Sequence, residues 1–199
     1  MKNRLIFALC LCLSLACLAW PDQITTEKGS ASDQTNLKLA KMDILIKLVP
    51  LALTKAQYPD VLLGIEKARQ VERDTLKEED TDLAGLDPTV SSVIDNAVQK
   101  GIYPPRDIQQ KVADSLQAMR NRRLTARYKM VNLVWDQVKT KLNDGQIKAM
   151  AGSFSDQFVN PTAKPGELTQ DVKVRFFIDQ VMLDPLTYDL LVEMSKHAA

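Results

Sequence analysis

The 199-residue chain carries one histidine, His197, two residues from its C-terminus, and three cysteines, Cys10, Cys12 and Cys17, all near its start. A metal centre needs convergent donors, and a lone terminal imidazole supplies one, so His197 reads as a solvated side chain and no metal or cofactor is expected. The chain has no Gly-rich phosphate loop, no Gly-x-Ser-x-Gly elbow, no His-Glu-x-x-His and no Cys-x-x-Cys-His. Carboxylate pairs are inevitable among 25 acidic residues and single out none. These residues predict a binding protein, not an enzyme.

The strongest charged constellation is basic. Arg120, Arg122, Arg123, Arg127 and Lys129 fall within ten residues that contain no acid. Arg120, Arg123 and Arg127 step by three and four and share a helix face, adjoined by Leu116, Met119 and Leu124. Such a face can hold partner proteins, charge speeding the encounter and apolar groups gripping exposed hydrophobic segments. The competing reading is a solvated basic face that pairs with Glu72, Asp74, Glu78 and Glu79 on a neighbouring helix. The 26 basic residues nearly balance the acidic ones, so no global field recruits nucleic acid or an anionic membrane.

A second constellation is mechanical. Leu53-Thr54-Lys55-Ala56-Gln57 is a capping box: Thr54 accepts from the backbone N–H three residues on, Gln57 reaches back to the Thr54 N–H, and Leu53 staples to Tyr58. Pro59 lies too deep in that first turn, and either shifts the helix start toward Asp60 or bends the turn. Leu142-Asn143-Asp144-Gly145-Gln146 repeats the pattern with Asn as the cap and Ile147 as the staple partner.

The elements that must carry these residues are helical. From Leu37 onward apolar residues recur at steps of three and four and nothing alternates as a strand, which predicts an all-α, long-helix antiparallel hairpin or bundle with additional C-terminal helices. A short helix over Leu37–Val49 stops at Pro50. A second spans Tyr58–Lys77 and dissolves into the acidic linker Glu78–Asp82 and a turn at Gly85. Asp87-Pro88 starts a third, closed by Gly101. Tyr103-Pro104-Pro105 is a rigid connector to a spine over Asp107–Leu142, with Tyr128 and Trp135 as core or dimer-seam anchors. Helices over Asp144–Phe158 and Thr169–Leu183 follow, the latter docking through Phe176-Phe177, and Asp184-Pro185 opens the last.

The N-terminus is an address. Lys2 and Arg4 precede an apolar run from Leu5 to Ala19, the pattern of a secretory signal peptide over 1–19. Cleavage after Ala19 removes every cysteine, leaving no disulfide and no thiol nucleophile. A second reading is a lipoprotein signal, with Ser14-Leu15-Ala16 before an acylated Cys17; only then is the membrane a partner. Polar residues 20–36 read as a flexible leader.

Two such pentads in an exported all-helical chain, the second directly after a long helix, resemble the periplasmic LTxxQ-motif family of the Spy and CpxP type. The resemblance covers residues 37–158 and leaves 159–199 as a C-terminal helical extension. It implies a curved helical hairpin that forms a homodimer and holds unfolding clients without ATP, in the periplasm, as an envelope-stress chaperone or regulator. The boxes here are farther apart than in that family, and Asn143 stands where its second Thr would be. The alternative class is a lipid-anchored structural or adaptor protein that binds one fixed partner.

Overall fold

The computed structural model describes residues 31–198, and among them every regular element is helical, with no strand. The expected signal peptide over 1–19, with the expected lipidation site Cys17, and residues 20–30 of the expected leader lie outside the described residues. The chain divides into two compact units, 1–38 and 39–199. The described part of the first is the mostly exposed opening of helix α1 (Ala31–Leu48). Residues 31–36, read from sequence as leader, are therefore helical, and Asp33 in the first turn complements the helix dipole.

In the second unit α1 ends in a 3₁₀ turn, Val49–Leu51, that accommodates Pro50. Ala52 follows in the left-handed region at φ 44° and donates its N–H to the Val49 carbonyl. Helix α2 (Tyr58–Lys100) and helix α3 (Arg106–Val138) form a long antiparallel hairpin. Gly101, at φ 64°, closes α2 as expected, its N–H reaching the Ala97 carbonyl. Four shorter elements return to the root of the hairpin: α4 (Asp144–Gly152), α5 (Asp156–Val159), α6 (Gln170–Phe177) with a π turn over Ile178–Met182, and α7 (Thr187–Lys196).

Two expected helices are thus one. The acidic run Glu78–Asp82 and the turn at Gly85 are helical, and Pro88 sits inside α2. Pro88 cannot donate to the carbonyl of Ala84, but Ala84 is exposed, so water can take the freed acceptor. Glu78, Glu79 and Asp82 are held by arginines of α3, as described below. The spine is also shorter than its periodicity suggests: α3 stops at Val138, and a turn in which Lys141 and Leu142 both donate to the Val138 carbonyl leads to the second pentad.

The core sits at the hairpin root. Ile44 and Leu48 of α1, Val61, Ile65 and Ala68 of α2, and Met130, Val134 and Val138 of α3 meet Met150, Val174, Phe177, Ile178, Met182 and Leu191 in one buried cluster. Each fully buried large side chain contributes roughly 1.5–3 kcal/mol. Gly64 lets the helices close up there, because a Cβ would lie 3.2 Å from Gln137 Cβ and 3.4 Å from the Val134 Cα. Phe177 docks as the sequence suggests, and Phe154, Phe158 and Phe176 pack as a ring cluster beside it. Trp135 is half-buried against the core, whereas Tyr128 faces outward.

Candidate functional site

The two pentads meet. Gln57 Nε2 lies 3.0 Å from Gln146 Oε1, and Gln146 Nε2 lies 2.9 Å from Gln57 Oε1. Each amide oxygen also accepts the backbone N–H of the second residue of its own pentad, Thr54 or Asn143, both at 2.9 Å. Each amide nitrogen reaches a carbonyl just before the other pentad's leucine: Gln57 donates to Lys141 O at 2.7 Å, and Gln146 to Ala52 O at 3.5 Å. The arrangement is close to two-fold, with Leu53 and Leu142 both buried in the core.

The pentads differ in the second half of the box. Asn143 caps α4 as expected, its side chain accepting from the Gln146 N–H at 2.9 Å. Thr54 does not cap α2, which begins at Tyr58 with Gln57 at the cap position and no side-chain cap bond. Pro59 explains the shift, because proline fits the first turn of a helix, where an N–H has no partner to lose. The first pentad therefore lies in the turn before α2, and the second runs from the turn after α3 into the first turn of α4.

The basic cluster is largely spoken for. Arg123 wraps Glu79, which is only 2% exposed: Nε lies 2.9 Å from both carboxylate oxygens and Nη2 lies 2.6 Å from Oε2. The hydrogen bonds to Glu79 outweigh burial and push the Arg123 guanidinium pKa up, so it stays charged. Arg122 donates to Asp82 at 2.7 Å and approaches Glu78 at 3.5 Å. Arg127 Nε lies 2.5 Å from Asp179 Oδ1, and its Nη2 donates to the Asp179 carbonyl. The expected partners Glu78 and Glu79 are thus found, while Asp74 accepts from Gln70 on its own helix.

The proposed binding set Arg120, Arg123, Arg127, Leu116, Met119 and Leu124 consequently does not form one surface. Met119 is buried in the hairpin seam, Leu116 is half-buried, and Arg123 and Arg127 fasten α3 to α2 and to the π turn. Leu124 is exposed, and Arg120 is half-buried with a Nε that lacks a hydrogen-bond partner.

What sequence reading missed lies beyond the Glu79–Arg123 pair. From Asp80 through the connector to Ala118 no residue is buried. That tip carries Leu83, Ile94, Val98, Ile102 and Tyr103, between 44% and 80% exposed. Leu83, Ile94 and Val98 are spaced by eleven and four, which places them along one side of α2. The sequence divides them, Ile94 and Val98 falling in the helix expected to open at Asp87 and Leu83 in the linker expected before it, so their common side emerges only once α2 is continuous.

Among the described residues no cluster of three or more His, Cys, Asp or Glu side chains could hold a metal, and His197 lies 3.6 Å from Glu193 in an exposed pair. Two open hollows flank α1. One, of about 490 Å³, is lined by Ile44, Lys47, Phe154, Phe158 and Asp184, and the other, of about 440 Å³, by Leu45, Val49, Leu53, Leu190 and Met194. The first also carries Asp43, Ser153 and Ser155, both hydroxyls engaged with the backbone: Ser153 donates to the Ala149 carbonyl and Ser155 accepts from the Phe158 N–H. No family model matches the chain, and neither the curated proteins nor the solved structures yield a match.

Proposed function

We propose that this protein is an exported, ATP-independent chaperone-like or envelope-stress binding protein, periplasmic and homodimeric, that holds polypeptides on the tip of its hairpin. The observation that carries the reading is the tip itself. Two helices continue past the last buried pair with a side of exposed Leu83, Ile94 and Val98 and no core of their own. Exposed apolar groups set among charges suit transient capture of unfolded segments, because grip comes from apolar contact while charge keeps the surface soluble. The LTxxQ-type pentads are in keeping with this reading, since the Gln57–Gln146 pair ties the turn before α2 to the turn after α3.

The test is suppression of aggregation of two unrelated, chemically denatured proteins, followed by light scattering. A Leu83→Ser/Ile94→Ser/Val98→Ser variant is expected to lose at least fivefold in protection while its helical circular dichroism is unchanged. Arg123 and Arg127 are unsuitable for this purpose because both hold ion pairs of the fold. Equal protection by the variant overturns the tip as the holding surface. No protection of any client by the parent chain favours the adaptor class with a single partner.

A further inference from the structure

The hollow of about 440 Å³ beside α1 and α7 holds a polar group that the fold leaves unanswered. Its walls are apolar: Leu45 and Val49 from the end of α1 and the turn after it, Leu53 from the first pentad, and Leu190 and Met194 from α7. Leu53 belongs to the buried core, and Leu190 and Met194 pack against that core, so these walls are fixed before anything enters. The volume lies in the range of small-molecule sites.

Tyr58, the first residue of α2, also lines this space. It is only 4% exposed, yet its hydroxyl makes no hydrogen bond among the described residues. The side-chain atoms there that are both fully enclosed and unpartnered are Arg120 Nε and Arg122 Nη1, so the Tyr58 hydroxyl keeps one face open, toward the hollow that it lines. Burial pushes the phenol pKa up, so the group stays protonated and offers a donor. A buried donor with no partner in the fold is completed by an acceptor that a ligand brings.

The other titratable side chains at the hollow are Glu193 and His197, 61% and 76% exposed at its mouth. Glu193 is held ionised chiefly by Lys196 at 2.6 Å and lies 3.6 Å from the His197 imidazole. A carboxylate at the mouth selects against an anionic head group, and its pairing with Lys196 leaves little pull on a cationic one.

We infer that this hollow binds a small uncharged amphiphile, its straight aliphatic body against Leu53, Leu190 and Met194 and one acceptor oxygen on the Tyr58 hydroxyl. The inference is independent of what the hairpin tip holds.

The experiment uses the exported full chain with carbon-13-labelled methionine methyl groups and 1-octanol as the probe. Met194 reports on the hollow, while Met42 on the outer side of α1 and Met119 in the hairpin seam are controls. Octanol is expected to move the Met194 resonance saturably and to leave both controls in place. Octanoate, of the same chain length but anionic, is expected to need at least tenfold more for half-saturation. Tyr58→Phe, which keeps the ring, is expected to weaken octanol binding at least fivefold without lowering the melting temperature. Val49→Asp, at a position 59% exposed, is expected to weaken it at least tenfold with the helical spectrum unchanged. An unmoved Met194, or equal shifts at all three methionines, overturns the inference. So does octanol binding that survives intact in Tyr58→Phe or Val49→Asp, or octanoate binding as tightly as octanol. A Met194 shift that grows with protein concentration alone assigns the hollow to a second copy and overturns it as well.

Discussion

Gln57 and Gln146, 89 residues apart, each donate a side-chain amide N–H to the other's amide oxygen. Each oxygen also takes the backbone N–H of the second residue of its own pentad, so one side chain serves both a local turn and a distant one. A net hydrogen bond is worth only about 1 kcal/mol, but a buried partner left unsatisfied costs more. Gln146 is buried and Gln57 half-buried, so the pair resists being broken from either side.

Gln146→Ala strands the Asn143 N–H and the Gln57 amide, and is expected to cost about 2–3 kcal/mol in urea unfolding. Gln57→Ala, with more solvent access, should cost about 1–2 kcal/mol. The double variant should fall short of their sum by about 1 kcal/mol, the coupling expected of residues in direct contact. Strict additivity would show that the two amides act independently.

Arg123→Met leaves Glu79 buried without a counter-ion and should destabilise the chain by about 3 kcal/mol. Adding Glu79→Leu should recover most of that loss, because an apolar pair of similar volume substitutes well for a buried ion pair. Calorimetry of the two variants checks both outcomes. A double variant as unstable as the single one would mean that the pair sets the helix register rather than neutralising a buried charge.

Backbone amides between Asp80 and Ala118 should exchange with deuterium well before those of Val61–Ala68 and Met130–Val138, since the tip buries nothing and the root is the core. Native-state exchange read by mass spectrometry is the measurement. Uniform protection along α2 would indicate that the tip side chains are covered in solution.

Asp156 supplies a pH dependence. The Lys173 ammonium, at 2.8 Å, outweighs burial, and the Leu168 and Gly166 N–H groups add to it, so the carboxyl is held below the ordinary range. A folded-state pKa below the unfolded one gives stability that is complete above the ordinary Asp value of about 3.9. That stability is lost as pH falls through the folded value. The stability difference between the parent and Asp156→Asn should therefore be flat from about pH 5 to 7 and shrink below about pH 4. Urea midpoints across that range test it.

The helical class was legible because apolar steps of three and four survive along the whole body, and Gly101 and Asn143 end and begin helices where backbone chemistry requires. The continuity of α2 was not legible. Glu78-Glu79-Asp80 followed by Gly85 and Asp-Pro looks like a break locally, and only Arg122 and Arg123, more than 35 residues away, turn two of those acids into internal partners. The same distance hid the role of the basic cluster, whose spacing is equally compatible with a free face and with a clasped one. Pentad chemistry was half legible: the glutamines' reach back to their own turns follows from local geometry, whereas their pairing with each other depends on where the hairpin returns.

From Asp80 to Lys100 α2 runs 21 residues beyond Glu79, about 30 Å at roughly 1.5 Å per residue. At physiological ionic strength charge is felt over a Debye length of about 8 Å. The far end of the hairpin is therefore electrically insulated from the ionic clasps at its base. Whatever settles there responds to the few side chains within reach, and a change of charge at the base will leave its salt dependence untouched.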